Sequence, residues 1–89
     1  MEENLLLEEV KKSLGVTGTY QDETLKNYIF EVLEYMSDAG VSDSVLQSDA
    51  IIGVVARGVS DLWSNSSGGV GFSPYFMQRV VQLAYKLEG

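Results

Sequence analysis

The stretch Ser48-Asp49-Ala50-Ile51-Ile52-Gly53-Val54-Val55-Ala56-Arg57-Gly58-Val59-Ser60-Asp61-Leu62-Trp63 decides the fold. Its apolar start, residues 51–55, is rich in β-branched side chains and suits a buried strand as readily as a helix. Two features favour the helix. Apolar residues recur at 51, 55, 59 and 62, and again at 52, 56, 59 and 63, which is a helical rather than an alternating period. The segment is also 16 residues long, well beyond the usual strand of a small domain. A helix apolar on nearly every side belongs in the middle of a bundle. Gly53, Ala56 and Gly58 leave room for a neighbour to come close, at about 1 kcal/mol of helix propensity for each glycine.

Downstream, Ser64-Asn65-Ser66-Ser67-Gly68-Gly69-Val70-Gly71 holds three serines and three glycines and reads as a flexible loop over 64–71. A glycine-rich loop ahead of a helix invites a phosphate-cradling reading, but no strand precedes it and it carries no lysine. Ser73 as N-cap and Pro74 at the first helical position then announce a helix over about 73–87, with Phe76, Val80, Leu83 and Leu87 on one face. Upstream, Leu6, Leu7, Val10 and Leu14 share a face of a helix over 3–14 that Gly15 stops. A loop over 16–21 follows, with Thr19 and Asp22 as competing N-caps. A helix over 22–39 buries Leu25, Ile29, Val32, Leu33 and Met36 and ends at Gly40. A polar connection over 41–48 holds a short apolar turn, Val45-Leu46, and Ser48 or Asp49 caps the helix of the opening stretch. The expectation is an all-α fold in one domain over 1–89: a compact bundle of four main helices at about 3–14, 22–39, 48–63 and 73–87.

A domain of this size hides only about 60% of its unfolded surface. Yet 45% of its 89 residues are apolar, including one Trp, five Tyr and three Phe. Contacts between subunits are an economical place for that excess. Cysteine and histidine are both absent, so disulfides, thiolate metal sites, cysteine nucleophiles and the usual general base are excluded together. The expectation is a protein that is not an enzyme and takes no cofactor. The net charge of −7 is unevenly spread: eleven acids against three lysines give −8 over residues 1–49, and the remainder carries +1. That balance argues against tight nucleic-acid binding, although an acidic surface lets DNA slide past without sticking. No basic region precedes the first leucines, and the longest apolar run, 50–56, is too short to span a bilayer. The chain reads as soluble and intracellular.

Three groups of side chains stand out as candidate sites. Tyr28, Phe30 and Tyr35 widen the apolar arc of the second helix, either as aromatic bodies at the rim of the core or as a protomer contact. Glu31, Glu34 and Asp38, spaced i, i+3, i+7, share the opposite face. That pattern admits a metal or acid–base site, an acidic channel wall, or a solvated helix face, and the last is favoured because no second ligand-bearing helix matches it. Arg57 and Asp61 stand four apart and can pair, in the weaker order for a helix; Arg57 otherwise snorkels or bridges to another subunit.

In order and spacing these elements resemble the small head–tail connector (head-completion adaptor) family of long-tailed bacteriophages and prophages. The resemblance is carried by Val10-Lys11-Lys12-Ser13-Leu14-Gly15-Val16, by Asp22-Glu23-Thr24-Leu25 with Ile29 and Val32, and by Val54-Val55-Ala56-Arg57-Gly58-Val59-Ser60-Asp61-Leu62-Trp63. It continues through a glycine-containing loop into Phe72-Ser73-Pro74-Tyr75-Phe76 and Arg79-Val80-Val81-Gln82-Leu83, and so covers nearly the whole chain.

What the resemblance implies is a structural virion protein, present in the host cytoplasm during assembly and then at the head–tail junction. Copies form a homo-oligomeric ring beneath the portal protein, extend the DNA channel and dock a stopper or tail-completion protein. DNA passes through without tight binding. The candidate protomer and partner contacts are then Tyr28, Tyr35, Arg57, Asp61, Trp63, Phe72, Tyr75, Phe76 and Arg79, with Glu31, Glu34 and Asp38 as a channel-facing acidic stripe. The alternatives are an acidic helical carrier protein modified at Ser44, since Asp43-Ser44-Val45 nearly matches the carrier attachment motif, or a helical protein-binding module that forms no ring.

Overall fold

The computed structural model describes residues 3–64 and 72–85 and is all-α. Its elements are α1 (Glu3–Leu14), α2 (Asp22–Asp38), the single turn α3 (Asp43–Leu46), a 3₁₀ turn (Asp49–Ile51), α4 (Ile52–Ser64) and α5 (Pro74–Ala84). The four expected helices are therefore present, and the β-branched run at 51–55 is helical. Expected residues 65–71 of the loop, and Leu87 at the end of the last helix, lie outside the described residues. Among the described residues no helix is long and apolar enough to cross a membrane.

The sequence sets the helix ends by local chemistry. Both α1 and α2 stop at a glycine in the left-handed region, Gly15 at φ 72° and Gly40 at φ 104°. In each case the next amide reaches back five residues, Val16 N–H to Lys11 O at 3.0 Å and Val41 N–H to Met36 O at 3.0 Å. These Schellman closures satisfy carbonyls that the helix leaves free. Val41 is drawn into the core by the second of them. The serine caps act at the other ends. Ser42 Oγ accepts from Val45 N–H, which turns the expected apolar Val45-Leu46 turn into α3. Ser48 caps the 3₁₀ turn through Ala50 N–H at 3.2 Å, and Ser73 caps α5 through Phe76 N–H at 3.2 Å.

One cap differs from expectation. Neither Thr19 nor Asp22 caps α2; the N-cap is Gln21, with no side-chain hydrogen bond. Asp22 is claimed elsewhere, because its Oδ1 accepts from Lys11 Nζ at 2.7 Å. Lys11 is the one buried charged residue among those described, and its ammonium also donates to the Gly18 carbonyl. A single cation thus ties the end of α1, the loop and the start of α2 together.

Helix α4 is the centre of the bundle. It packs against α1 on one side, α2 on another and α5 on a third. Val54, Val55, Ala56, Gly58 and Val59 are its buried residues, and they meet Leu6, Leu7 and Val10 of α1, Leu25, Ile29, Val32 and Met36 of α2, and Phe76, Val80 and Leu83 of α5 in one core cluster. The two glycines of α4 are not equivalent. A Cβ on Gly58 would stand 2.6 Å from the Phe76 ring and 3.0 Å from Val32 Cγ2, whereas a Cβ on Gly53 would meet nothing within 4 Å.

Gly58→Ala forces Phe76 or Val32 to move and lowers stability by about 1–2 kcal/mol net of the helix-propensity gain, while Gly53→Ala raises it by about 0.5–1 kcal/mol; urea unfolding midpoints measure both. Lys11→Met strands the Asp22 carboxylate and removes the loop clasp, which lowers stability by about 2 kcal/mol in the same assay.

Candidate functional site: an aromatic seam and an arginine cleft

The aromatic surplus is used first within the protomer. Tyr28 of α2 meets Trp63 at the end of α4 edge-on, with centroids 6.4 Å apart and planes at 90°. Further along α2, Tyr35 packs on Phe72 (4.9 Å) and Phe76 (5.7 Å), which lie 4.5 Å from each other. These offset and tilted arrangements suit the ring quadrupoles. The two groups form a seam where α2, α4 and α5 meet. Tyr28, Tyr35, Trp63 and Phe72 pack against the core while keeping part of their surface in solvent. Phe76 does not. Its ring is fully buried, so the expectation that Phe76 offers an open contact is corrected: the missing Cβ of Gly58 admits it into the protomer's own core.

Asp61 anchors the start of α5. Its Oδ2 accepts from the Ser73 backbone N–H at 3.0 Å, and its Oδ1 lies 3.4 Å from Arg57 Nε. The expected i, i+4 pair is thus formed inside one protomer, but it is long and half in water, with 48% of the Arg57 side chain exposed. The Arg57 guanidinium sits 5.2 Å from the centroid of the exposed Tyr75 ring, a cation–π placement. Arg79, one turn beyond Tyr75, donates from Nη1 to Gln82 Oε1 at 2.8 Å. Between α4 and α5 these groups border a cleft of about 140 Å³ lined by Gly53, Val54, Arg57, Tyr75, Phe76 and Arg79. Tyr75 and Arg79 also form the wall of a second, shallower hollow of about 240 Å³ with Gln78 and Gln82.

Glu31, Glu34 and Asp38 are all exposed on the outer face of α2. Among the described residues no group of three potential ligands is arranged to hold a metal ion. Ser44 is exposed on α3, 3.4 Å from Ser42 Oγ.

An exposed apolar row outside the expected residues runs along α5 to its C-cap, Tyr85. Met77, Val81 and Tyr85, at i, i+4 and i+8, are 39%, 51% and 81% exposed and run along the helix away from Phe76, Val80 and Leu83. The signal was present in the sequence as a second apolar spacing of four beside the core stripe. Phe30, 64% exposed, stands apart from Tyr28 and Tyr35, which turn toward the seam. No family model, curated protein or solved structure matches this chain.

The Asp61–Ser73 bond carries a testable consequence. Asp61→Ala frees the Ser73 amide and loosens the α5 start, at a cost of about 1–2 kcal/mol, whereas Asp61→Asn retains an acceptor and costs less. Amide hydrogen exchange at residues 73–77 reports the difference directly.

Proposed function

We propose that this chain is a head–tail connector subunit of a long-tailed bacteriophage or prophage, which assembles as a ring under the portal, prolongs the DNA channel and receives a stopper or tail-completion protein. The observation that carries the assembly part of this reading is the outer face of α5. In a protomer whose core is already closed around α4, Met77, Val81 and Tyr85 still face outward, and Tyr28, Tyr35, Trp63 and Phe72 keep part of their surface in solvent. Apolar surface left over from a filled core is surface for a partner. A ring needs two different patches on each copy, one meeting the other around an axis. In this reading the aromatic seam is one of them and the α5 face the other.

The particular role rests on the resemblance described above and is supported by charge. With a net charge of −7, and with Lys11 and Lys12 engaged by Asp22 and Glu9, the chain offers DNA little to hold. A conduit wall benefits from that reluctance. The carrier reading draws on the exposure of Ser44, but the segment after it turns into the 3₁₀ turn and the apolar α4, leaving no acidic recognition helix beside the serine.

Sedimentation of the chain with the portal protein encoded in the same genome tests the proposal. The expected result is a ring-sized increment on the portal, reduced by Val81→Glu or Tyr85→Glu. A chain that stays free of the portal at every ratio overturns it, and a mass gain at Ser44 after incubation with coenzyme A and a phosphopantetheinyl transferase replaces it with the carrier reading.

A further inference from the structure

We infer that the cleft between α4 and α5 is the seat for the acidic outer face of α2 from a second copy of this chain, with Arg57 and Arg79 receiving the carboxylates of Glu31, Glu34 and Asp38. The inference rests on the ring reading and names the contact that sets its register; it also gives the acidic face a role other than lining the channel.

The cations of the protomer differ in how far its own acids engage them. Lys11 and Lys12 are engaged by carboxylates of their own protomer, at 2.7 and 3.2 Å. The two arginines are engaged far less. Arg79 bonds only to the neutral amide of Gln82, and among the described residues no carboxylate lies within ion-pair distance of it. Arg57 shares Asp61 with the Ser73 amide through a contact of 3.4 Å. Both guanidinium groups border one cleft, whose floor at Gly53 has no side chain to fill it. A guanidinium is a planar fork suited to carboxylate oxygens, and two of them at one opening in a chain of net charge −7 form an acid-seeking site.

The complementary face lies on the same molecule, out of its own reach. Glu31, Glu34 and Asp38 are exposed, and among the described residues none is paired with a cation. They span about 10 Å along one helix face at 1.5 Å per residue, a row long enough to engage two arginines set one on each side of a cleft. Because Glu31, Glu34 and Asp38 do not meet Arg57 or Arg79 within a protomer, pairing these groups needs a neighbour. Each copy then carries one socket and one plug, and a head-to-tail contact of this kind propagates until it closes. Charge pairs at such a contact set orientation and register, while the apolar surface excludes water around them.

Charge-reversal pairs test this. Arg57→Glu with Arg79→Glu reverses the cleft, and Glu31→Lys with Glu34→Lys and Asp38→Lys reverses the helix face; circular dichroism checks the helices, and amide exchange at residues 73–77 checks that the Asp61–Ser73 anchor beside Arg57 stays in place. Self-association is followed by sedimentation and by amide chemical shifts up to millimolar protein. The expected result is that each variant alone associates roughly tenfold or more weakly than wild type, that an equimolar mixture recovers association, and that added salt weakens wild type and mixture alike. Recovery in the mixture is not the signature of two damaged folds. Variants that associate like wild type, a mixture no better than its components, or a wild type whose shifts do not move at either face overturn the inference. If the reversed variants still add to the portal as wild type does, the contact is wrong and the connector reading stands; if the mixture rescues association but nothing binds the portal, the contact stands and the connector reading falls.

Discussion

The bundle depends on a contact that exists because an atom is missing. At Gly58 the backbone of α4 comes close enough to the Phe76 ring and to Val32 that a Cβ would stand 2.6 Å from one and 3.0 Å from the other. That proximity brings three helices to one point. Phe76 is fully buried there, and around it Phe72 and Tyr35 complete a ring cluster that joins α5 to α2 across α4. The helix-propensity cost of the glycine is about 1 kcal/mol, while burying a phenylalanine side chain is worth about 1.5–3 kcal/mol. The packing term is the larger, which accounts for a glycine in the middle of the most buried helix.

Much of this was legible before the structure, and for local reasons. Gly15 and Gly40 stop their helices because each stop needs a left-handed residue, and Ser73-Pro74 starts α5 because a hydroxyl cap and a fixed φ act over three residues. The period at 51, 55 and 59 outweighed β-branching because burial on several sides overrides intrinsic propensity. What escaped the reading depended on partners distant in sequence. Asp22 is an N-cap by type, yet Lys11 eleven residues earlier takes its carboxylate. Phe76 falls on the core stripe and also beside the exposed-looking Tyr75, and only the gap at Gly58 decides that it goes fully inside.

The candidate site shows the same division. That Arg57 and Asp61 pair was readable from their spacing; that Asp61 also holds the Ser73 amide was not, because the two are twelve residues apart and belong to different helices. The surplus of aromatic residues was visible in composition. Its partition was not: the seam where α2, α4 and α5 meet takes in most of Tyr28, Tyr35, Trp63 and Phe72, while Tyr20, Phe30, Tyr75 and Tyr85 stay exposed. A helix with two apolar rows presents both equally in sequence, and only packing chooses which is turned to the core.

The clasp at Lys11 gives the first helical hairpin a distinctive character. Between α1 and α2 the connection has just Val16 leaning on the core, so its shape is held by backbone hydrogen bonds from Gly15, Val16 and Asp22 and by the coordination of an ammonium by a carbonyl and a carboxylate. The bend joining the two helices therefore depends on the shape of the cation as well as its charge: a compact ammonium reaches a carbonyl and a carboxylate at once, and arginine, with its flat and wider head, is a poor replacement at this position.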